Sequence, residues 1–410
     1  MPTSTIHRSM KRSICLFFLL ICYYCSSQIH AAKGVMPIIA YWGVPEQHTS
    51  ESAFRTFRDC GFTVSIFPYS SLTALINACR QADKCGVKIL GSCPELTKSH
   101  VRAASTLKNE NGFFGYLIQD EPDVPQIHQR KKEIERLKQT DSTRPFYINL
   151  HPYYHPEWIE PTLKTKNYKE YLQTASSTPC QQISFDHYPI TTNGIRPTWY
   201  HNLEMVRQES LSSTKPFWGF VLCTPHDVPY DQGNYYPTPT LASLRLQVYA
   251  NLAYGAQAIQ YFTYWTPDGS NSFHFHDGPI GLDGKKTKTY TLVQQMNREL
   301  KQVAPLFYGA KVTSVHHLGI IPQGTSKITT MPKNLRSLKV VSSKGAIVSQ
   351  FTKNNHQYLA IVNKNHWDQM TVLIQTYNST PRHVTKSLNT EPMKTSYTVP
   401  AGDILLFRLK

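Results

Sequence analysis

Gly115-Tyr-Leu-Ile-Gln-Asp-Glu-Pro-Asp123 is the stretch on which the fold turns. Its first half is an apolar run of strand length. Its second half sets two acids, Asp120 and Glu121, at the C-terminal edge of that strand, and Pro122 fixes the loop behind them. Burying adjacent carboxylates costs free energy unless they are paired or used. A strand that is apolar along its length and carries its chemistry only at its end fits a parallel sheet covered on both faces, where the C-terminal strand ends build the site.

Seven further runs of this kind lie to either side: Met36–Trp42, Thr63–Pro68, Val87–Cys93, Pro145–Leu150, Gln182–Asp186, Phe217–Cys223 and Ala258–Trp265. Amphipathic stretches alternate with them. Thr49 or Ser50 caps a helix with Phe54 and Phe57 facing inward and Gly61 stopping it; a second helix puts Leu72, Leu75, Ile76 and Cys79 on one face and ends at Gly86. Further helices read at Pro125–Gln139, Trp199–Ser210, Thr240–Tyr254 and Thr289–Pro305. The alternation over residues 33–310 predicts an α/β fold, a (β/α)8 TIM barrel, and no GxGxxG turn favours an open doubly wound sheet instead. Past Lys311 the helical period disappears. Short β-branched runs at Ala346–Phe351, Tyr358–Val362, Met370–Ile374 and Ile404–Phe407 predict a small C-terminal β-sandwich domain over residues 311–410 that acts as an accessory. A length of 410 residues suits one large domain and one small one.

The first residues read as a leader. Arg8, Lys11 and Arg12 precede an apolar core from Ile14 to Tyr24, which predicts a signal peptide over residues 1–32, cleaved near Ala31 or Ala32, and a secreted or periplasmic protein. The rival, a lipid anchor at Cys25, is disfavoured by Tyr24, where a small residue is normally required. No other stretch is apolar enough to span a bilayer, so no stable membrane insertion is expected after cleavage. Cys15, Cys22 and Cys25 leave with the leader, and Cys60, Cys79, Cys85, Cys93, Cys180 and Cys223 remain. None forms a CxxC pair, so they read as mostly free, buried thiols rather than a zinc site. The net charge of +16 falls to about +13 without Arg8, Lys11 and Arg12. That field favours anionic partners, but the basic residues are scattered, and no nucleic-acid-binding motif is present. The 24 tyrosines lean toward a surface that handles a polar ring-shaped ligand.

Glu121 is the candidate general acid, with helix capping near Pro125 as the alternative use of the acid pair. The run Ile183-Ser-Phe-Asp-His-Tyr-Pro-Ile190 offers a second carboxylate, Asp186, with His187 and Tyr188 at the same rim. Trp42 with Tyr41, His151 with Tyr153, and Tyr264 with Trp265 end other strands, where aromatic faces stack on sugar C–H groups. His226 and Asp227 follow strand seven, and Asn271-Ser-Phe-His-Phe-His-Asp277 follows strand eight. His274 and His276 lack a spaced third ligand, so a cleft-lining loop is the reading; no metal and no cofactor are expected.

On these residues the chain resembles the clan A glycoside hydrolases, in particular the beta-galactosidase-like barrels followed by an all-β domain. The resemblance rests on Gln119-Asp120-Glu121-Pro122 after strand four, Ser184 to Pro189 at strand six, and the Tyr-Trp pair ending strand eight. It implies a hydrolase acting on an extracellular oligo- or polysaccharide, with Glu121 as general acid/base. It also implies a nucleophilic Glu at the end of strand seven, where Phe217-Trp-Gly-Phe-Val-Leu-Cys-Thr-Pro-His-Asp227 has none. Asp227 or Asp186 takes that role, or the mechanism differs. The Asp-Glu pair also resembles hexosaminidases that use the substrate's acetamido group, with Asp120 orienting it and Glu121 as acid. A non-catalytic glycan-binding barrel is the alternative.

Overall fold

The computed structural model describes residues 34–229, 234–268, 272–378 and 380–410, so the expected leader and its three cysteines lie outside the described residues. Eight parallel strands close into a barrel: β1 Ile38–Tyr41, β2 Val64–Pro68, β3 Lys88–Ser92, β4 Phe113–Asp120, β5 Phe146–Leu150, β6 Ile183–Phe185, β7 Phe217–Leu222 and β8 Ala258–Phe262. Each strand pairs with its chain neighbour and β8 pairs back to β1, with Ile38 opposite Ile259. All eight apolar runs are therefore strands, seven of them trimmed at one or both ends and the fourth, read as Gly115–Gln119, extended to Phe113–Asp120. Inside the ring Ile39, Val64, Ile66, Leu90, Phe114, Tyr147, Trp218 and Ala258 fill the barrel. This interior is a packed core, and any site must sit above it.

The helices α1 Glu51–Asp59, α2 Leu72–Asp83, α3 His100–Leu107, α4 Val124–Thr140, α5 Tyr168–Ser176, α6 Trp199–Ser213, α7 Leu241–Tyr254 and α8 Lys288–Phe307 form the outer ring. Ser50 is the cap of α1, accepting from Ala53 N–H at 3.2 Å. Two helices, α3 and α5, were not legible: each is under three turns long and has no glycine stop in its last turn. On α7 the side chain of Asn251 lies over Gly219 of β7, so closely that a Cβ there would meet Asn251 Oδ1 at 1.8 Å. Glycine at that strand position is what lets the helix approach.

Beyond α8 the chain is all β. Strands β9 Lys311–Gly319, β10 Leu335–Val341, β11 Gly345–Lys353, β12 His356–Asn363, β13 Met370–Thr376, β14 Arg382–Val384, β15 Thr390–Glu391, β16 Ser396–Val399 and β17 Ile404–Arg408 form two sheets, ordered β9-β11-β12-β17-β14-β15 and β10-β13-β16. Alternation puts Ala346, Val348, Leu359, Ile361 and Phe407 against the smaller sheet. The opposite face, with Ile347, Phe351, Ala360, Val362 and Leu406, joins the core that wraps the barrel. Ser349 Oγ donates to the Ala253 carbonyl at 2.7 Å, so the sandwich is fastened to α7. The six expected cysteines are free and buried. Among the described residues no helix is long and apolar enough to cross a membrane.

Candidate active site

At the barrel mouth three neighbouring strands place polar residues side by side, Asp120 of β4 opposite Asn149 of β5 and Asn149 opposite Ser184 of β6. Asn149 Nδ2 donates to Asp120 Oδ1 and to Asp186 Oδ1, each at 3.0 Å. Ser184 Oγ donates to Asn149 Oδ1 at 3.0 Å, which fixes the amide with its nitrogen toward the acids. One layer down, Gln260 Nε2 donates to Ser184 Oγ at 2.9 Å and Tyr147 O–H donates to Gln260 Oε1 at 2.8 Å. Two tyrosines complete the shell: Tyr41 donates to Asp120 and Tyr188 to Asp186.

These donors do not fully offset the cost of gathering acids around the buried Asp186. Burial, followed by the negative charge of Glu121, raises the pKa of Asp120. Asp186 is 9% exposed, and burial together with the charges of Glu121 and Asp120 holds its carboxyl well above the usual range. Asp120 is exposed at the rim while Asp186 is buried.

Glu121 is the first residue past β4. Its backbone has φ 45°, a left-handed conformation that costs a side-chain-bearing residue about 1 kcal/mol or more. Two constraints hold it there: its N–H donates to the Asn149 carbonyl at 2.8 Å, and Asp123 caps α4 in a reciprocal pair with Gln126. Tyr171 of α5 accepts from His151 N–H at 3.2 Å and donates to the Pro122 carbonyl at 2.8 Å, locking the two loop starts together. The Glu121 side chain stays 38% exposed, with His151 Nδ1 3.4 Å from its Oε1.

That carboxylate opens into a cavity of about 290 Å3 lined by Glu121, His151, Tyr154, His155, Trp158 and the apolar Leu163. The loop after β5 builds the wall. Its run His151-Pro-Tyr-Tyr-His-Pro-Glu-Trp158 passes into short helical turns at Pro156–Trp158 and Ile159–Leu163, and Trp158 lies with its ring 4.4 Å from that of His155. Three aromatic residues, two histidines and two prolines in eight residues after a buried strand are the available signal for this wall; of them only His151 and Tyr153 are named from sequence.

The other expected residues fall in three places. Tyr188 joins the carboxylate shell, as described above. Trp42, Tyr264 and Trp265 pack structurally: Trp42 against Phe67 at 5.0 Å, Tyr264 buried against Phe57 and Phe62, and Trp265 stacked on His48 at 4.3 Å. His187 is sealed at 2% exposure, its Nδ1 2.9 Å from Asn202 Oδ1, and burial pushes its pKa down to about 3. His226 sits among Tyr236, Phe262 and Phe275, where burial lowers its pKa to about 4. Asp227 lies on the outer ribbon Tyr235–Tyr236 pairs with, half exposed, its carboxylate 2.5 Å from His274 Nδ1. His276 pairs with Asp277 at 3.0 Å, and among the described residues no group of three or more His, Cys, Asp or Glu side chains could hold a metal ion. The end of β7 is neutral: Cys223 Sγ donates to the Thr263 carbonyl at 3.0 Å and the hydroxyls of Thr224 and Thr263 lie 2.9 Å apart.

Comparison with known proteins supports this architecture. Residues 127–303 match the glycoside hydrolase 42 family model, described as beta-galactosidase. The match begins after Glu121, so it does not itself assign that residue. No curated protein is similar enough in sequence to match. Among solved structures, a beta-galactosidase from Bacillus circulans sp. alkalophilus aligns over 93% of this chain and 100% of its own, with a TM-score of 0.63 and 10% identity. A GH42 beta-galactosidase from G. stearothermophilus, in a catalytic-mutant form, covers 93% of this chain and 99% of its own at a TM-score of 0.60 and 7% identity. The chain spans 60% of the length of a beta-galactosidase from the psychrophilic Marinomonas ef1. The fold is thus that of these beta-galactosidases, a closed parallel barrel with a following β domain.

Proposed function

We propose that this chain, with its clan A barrel and partial beta-galactosidase match, is an exported hydrolase of O-glycosidic bonds whose general acid/base is Glu121. The observation that carries the reading is that the Glu121 carboxylate, alone among the three acids of the cluster, lines an open cavity walled by aromatic rings. Sugar rings present C–H faces to such rings and hydroxyls to His151 and Tyr154. Glu121 protonates the departing glycosidic oxygen, and His151 Nδ1 beside it steadies the charge left behind.

A strand-seven carboxylate is missing, so the second acid comes from the same flank. Asp120 suits the role better than Asp186, because it keeps contact with solvent while Asp186 is enclosed and disposed to hold a proton. Asp186 then acts as a positioning residue through Asn149, which holds both acids. Asp227, tied to His274 on the outer ribbon, is not assigned a chemical role. The leader read over residues 1–32 directs export, checked by the N-terminal sequence of protein recovered from the medium.

The test is hydrolysis of a glycan panel, neutral and acidic, followed by release of reducing ends. Glu121→Gln is expected to lower turnover about 10²- to 10⁴-fold while leaving the fold intact. Wild-type protein that binds a glycan and returns it unchanged after long incubation would favour the second reading, a glycan-binding barrel, for which the neutral end of β7 is the supporting observation.

A further inference from the structure

A second cavity, of about 450 Å3, lies where the barrel meets the sandwich, between residues 193–200 and the turns at 320–323 and 364–367. Its volume is in the range of small-ligand sites. The charge of its lining is one-sided: Arg196, Lys344 and Lys364 contribute, and among the described residues no Asp or Glu lines it. Lys364 is 3% exposed and among the described residues has no carboxylate partner; its Nζ donates to the Ile320 carbonyl and lies 3.4 Å from His317 Nδ1, while His317 Nε2 is bonded to Tyr254 O–H at 2.8 Å. An ammonium has three N–H donors, so one remains. Burial without a counter-charge pushes the Lys364 pKa down to about 8. Tyr200 lines the same cavity, and among the described residues its buried hydroxyl has no hydrogen-bond partner.

At the mouth stands Trp367, 75% exposed, with the ring of His366 4.7 Å away. The turn that presents it is stiff. Asn365 Oδ1 accepts from Trp367 N–H at 2.9 Å and Asp368 N–H at 3.2 Å, and Asn365 Nδ2 donates to Asp368 Oδ2 and Ser343 Oγ. Trp367 and His366 also border a smaller cavity of about 190 Å3 on their other side, so the indole stands on a ridge between two hollows. A large indole held out in water, beside a buried cation lacking a counter-ion and an unpartnered hydroxyl, is a costly arrangement for a surface with no ligand.

We propose that this junction is a second carbohydrate site, separate from the Glu121 cavity, that takes an anionic sugar, its ring against Trp367 and its carboxylate or sulfate ester on Lys364 and Tyr200. A charge-assisted hydrogen bond to a planar or tetrahedral anion uses the remaining Lys364 donor, and Lys344 at the rim adds attraction without being enclosed. The site does not depend on the catalytic reading, since it shares no lining residue with the Glu121 cavity.

Titration calorimetry on the full chain tests it, with trigalacturonate as the carboxylate probe, a sulfated chondroitin disaccharide as the sulfate probe, and cellotriose as the neutral control. Binding of either anionic sugar is expected, equal in wild type and Glu121→Gln, and weakened about tenfold by Trp367→Ala and by Lys364→Met. Should Lys364→Met fail to fold, Lys344→Glu reads the same charge from an exposed position and should also weaken binding. Trp367→Ala should leave hydrolysis of a small neutral aryl glycoside unchanged. Which probe binds identifies the anion as carboxylate or sulfate. The proposal is overturned if neither anionic sugar binds, if cellotriose or polyglutamate binds as well as they do, or if Trp367→Ala and Lys344→Glu both retain wild-type affinity.

Discussion

At the ends of β4, β5 and β6 the barrel mouth carries Asp120, Glu121, Asn149 and Asp186, tied by hydrogen bonds and strained by like charge. At the ends of β7 and β8 it carries Cys223, Thr224 and Thr263, which satisfy one another and bear no charge. Both flanks rest on one closed sheet and one packed interior, so the scaffold does not make the difference. Single positions do. An acid cluster in which Asp120 and Asp186 hold raised pKa values beside a left-handed glutamate is a stability cost kept on one side only, and such costs gather where chemistry is done. On the proposed function, the comparison teaches that chemistry expected from two opposite flanks is concentrated on one.

The largest effect that could break this contrast comes from exchanging an acid on each flank for its amide. Asp120→Asn should lower turnover about 10²- to 10⁴-fold, whereas Asp227→Asn should stay within about twofold of wild type. Comparable losses at both positions, measured as kcat on one glycan, would return Asp227 to the mechanism.

Next comes the cavity wall. Trp158→Ala removes a stacking face without touching the acids and should raise KM about tenfold with kcat nearly unchanged, the pattern of lost uniform binding. A fall in kcat alone would place Trp158 in the chemical step instead.

The charge strain has a pH signature. Burial and neighbouring acids raise the folded-state pKa of Asp186 above the unfolded value of about 3.9. The folded chain therefore holds that proton more tightly, which favours folding below the unfolded pKa and is lost as pH rises through the folded one. Asp186→Asn should be more stable than wild type at neutral pH, with the difference closing toward pH 4 at no more than about 1.4 kcal/mol per pH unit. Denaturant unfolding at several pH values reads this; a difference that grows toward acid would contradict it. The smallest effect is local. Asp123→Ala removes the α4 cap and should cost about 1 kcal/mol of stability, with a modest loss of turnover as the Glu121 loop loosens.

The barrel was legible because a parallel strand buried on both faces must be apolar end to end, and most such runs stood next to a recognisable helix cap or stop, the exceptions being the stretches that hold α3 and α5. The sandwich was partly legible. Lys311–Gly319 and Leu335–Val341 escaped because their outward residues are polar and break the apolar runs. At the site the acids could be read, since two carboxylates ending a buried strand have few structural uses. The rings could not be sorted: Tyr264 in the core and Trp158 in the cavity wall are both aromatic residues near strand ends, and only packing separates them. Asn149 gave no sign of its importance, because its role depends on two acids from neighbouring strands reaching the same amide.

The most direct measurement compares Glu121→Gln with wild type on two glycosides of one sugar, one with a poor alcohol leaving group and one with a dinitrophenolate that departs unprotonated. If residue 121 gives the proton, kcat/KM should collapse for the first and fall only slightly for the second. Equal losses on both would show that this side chain does not act as the acid.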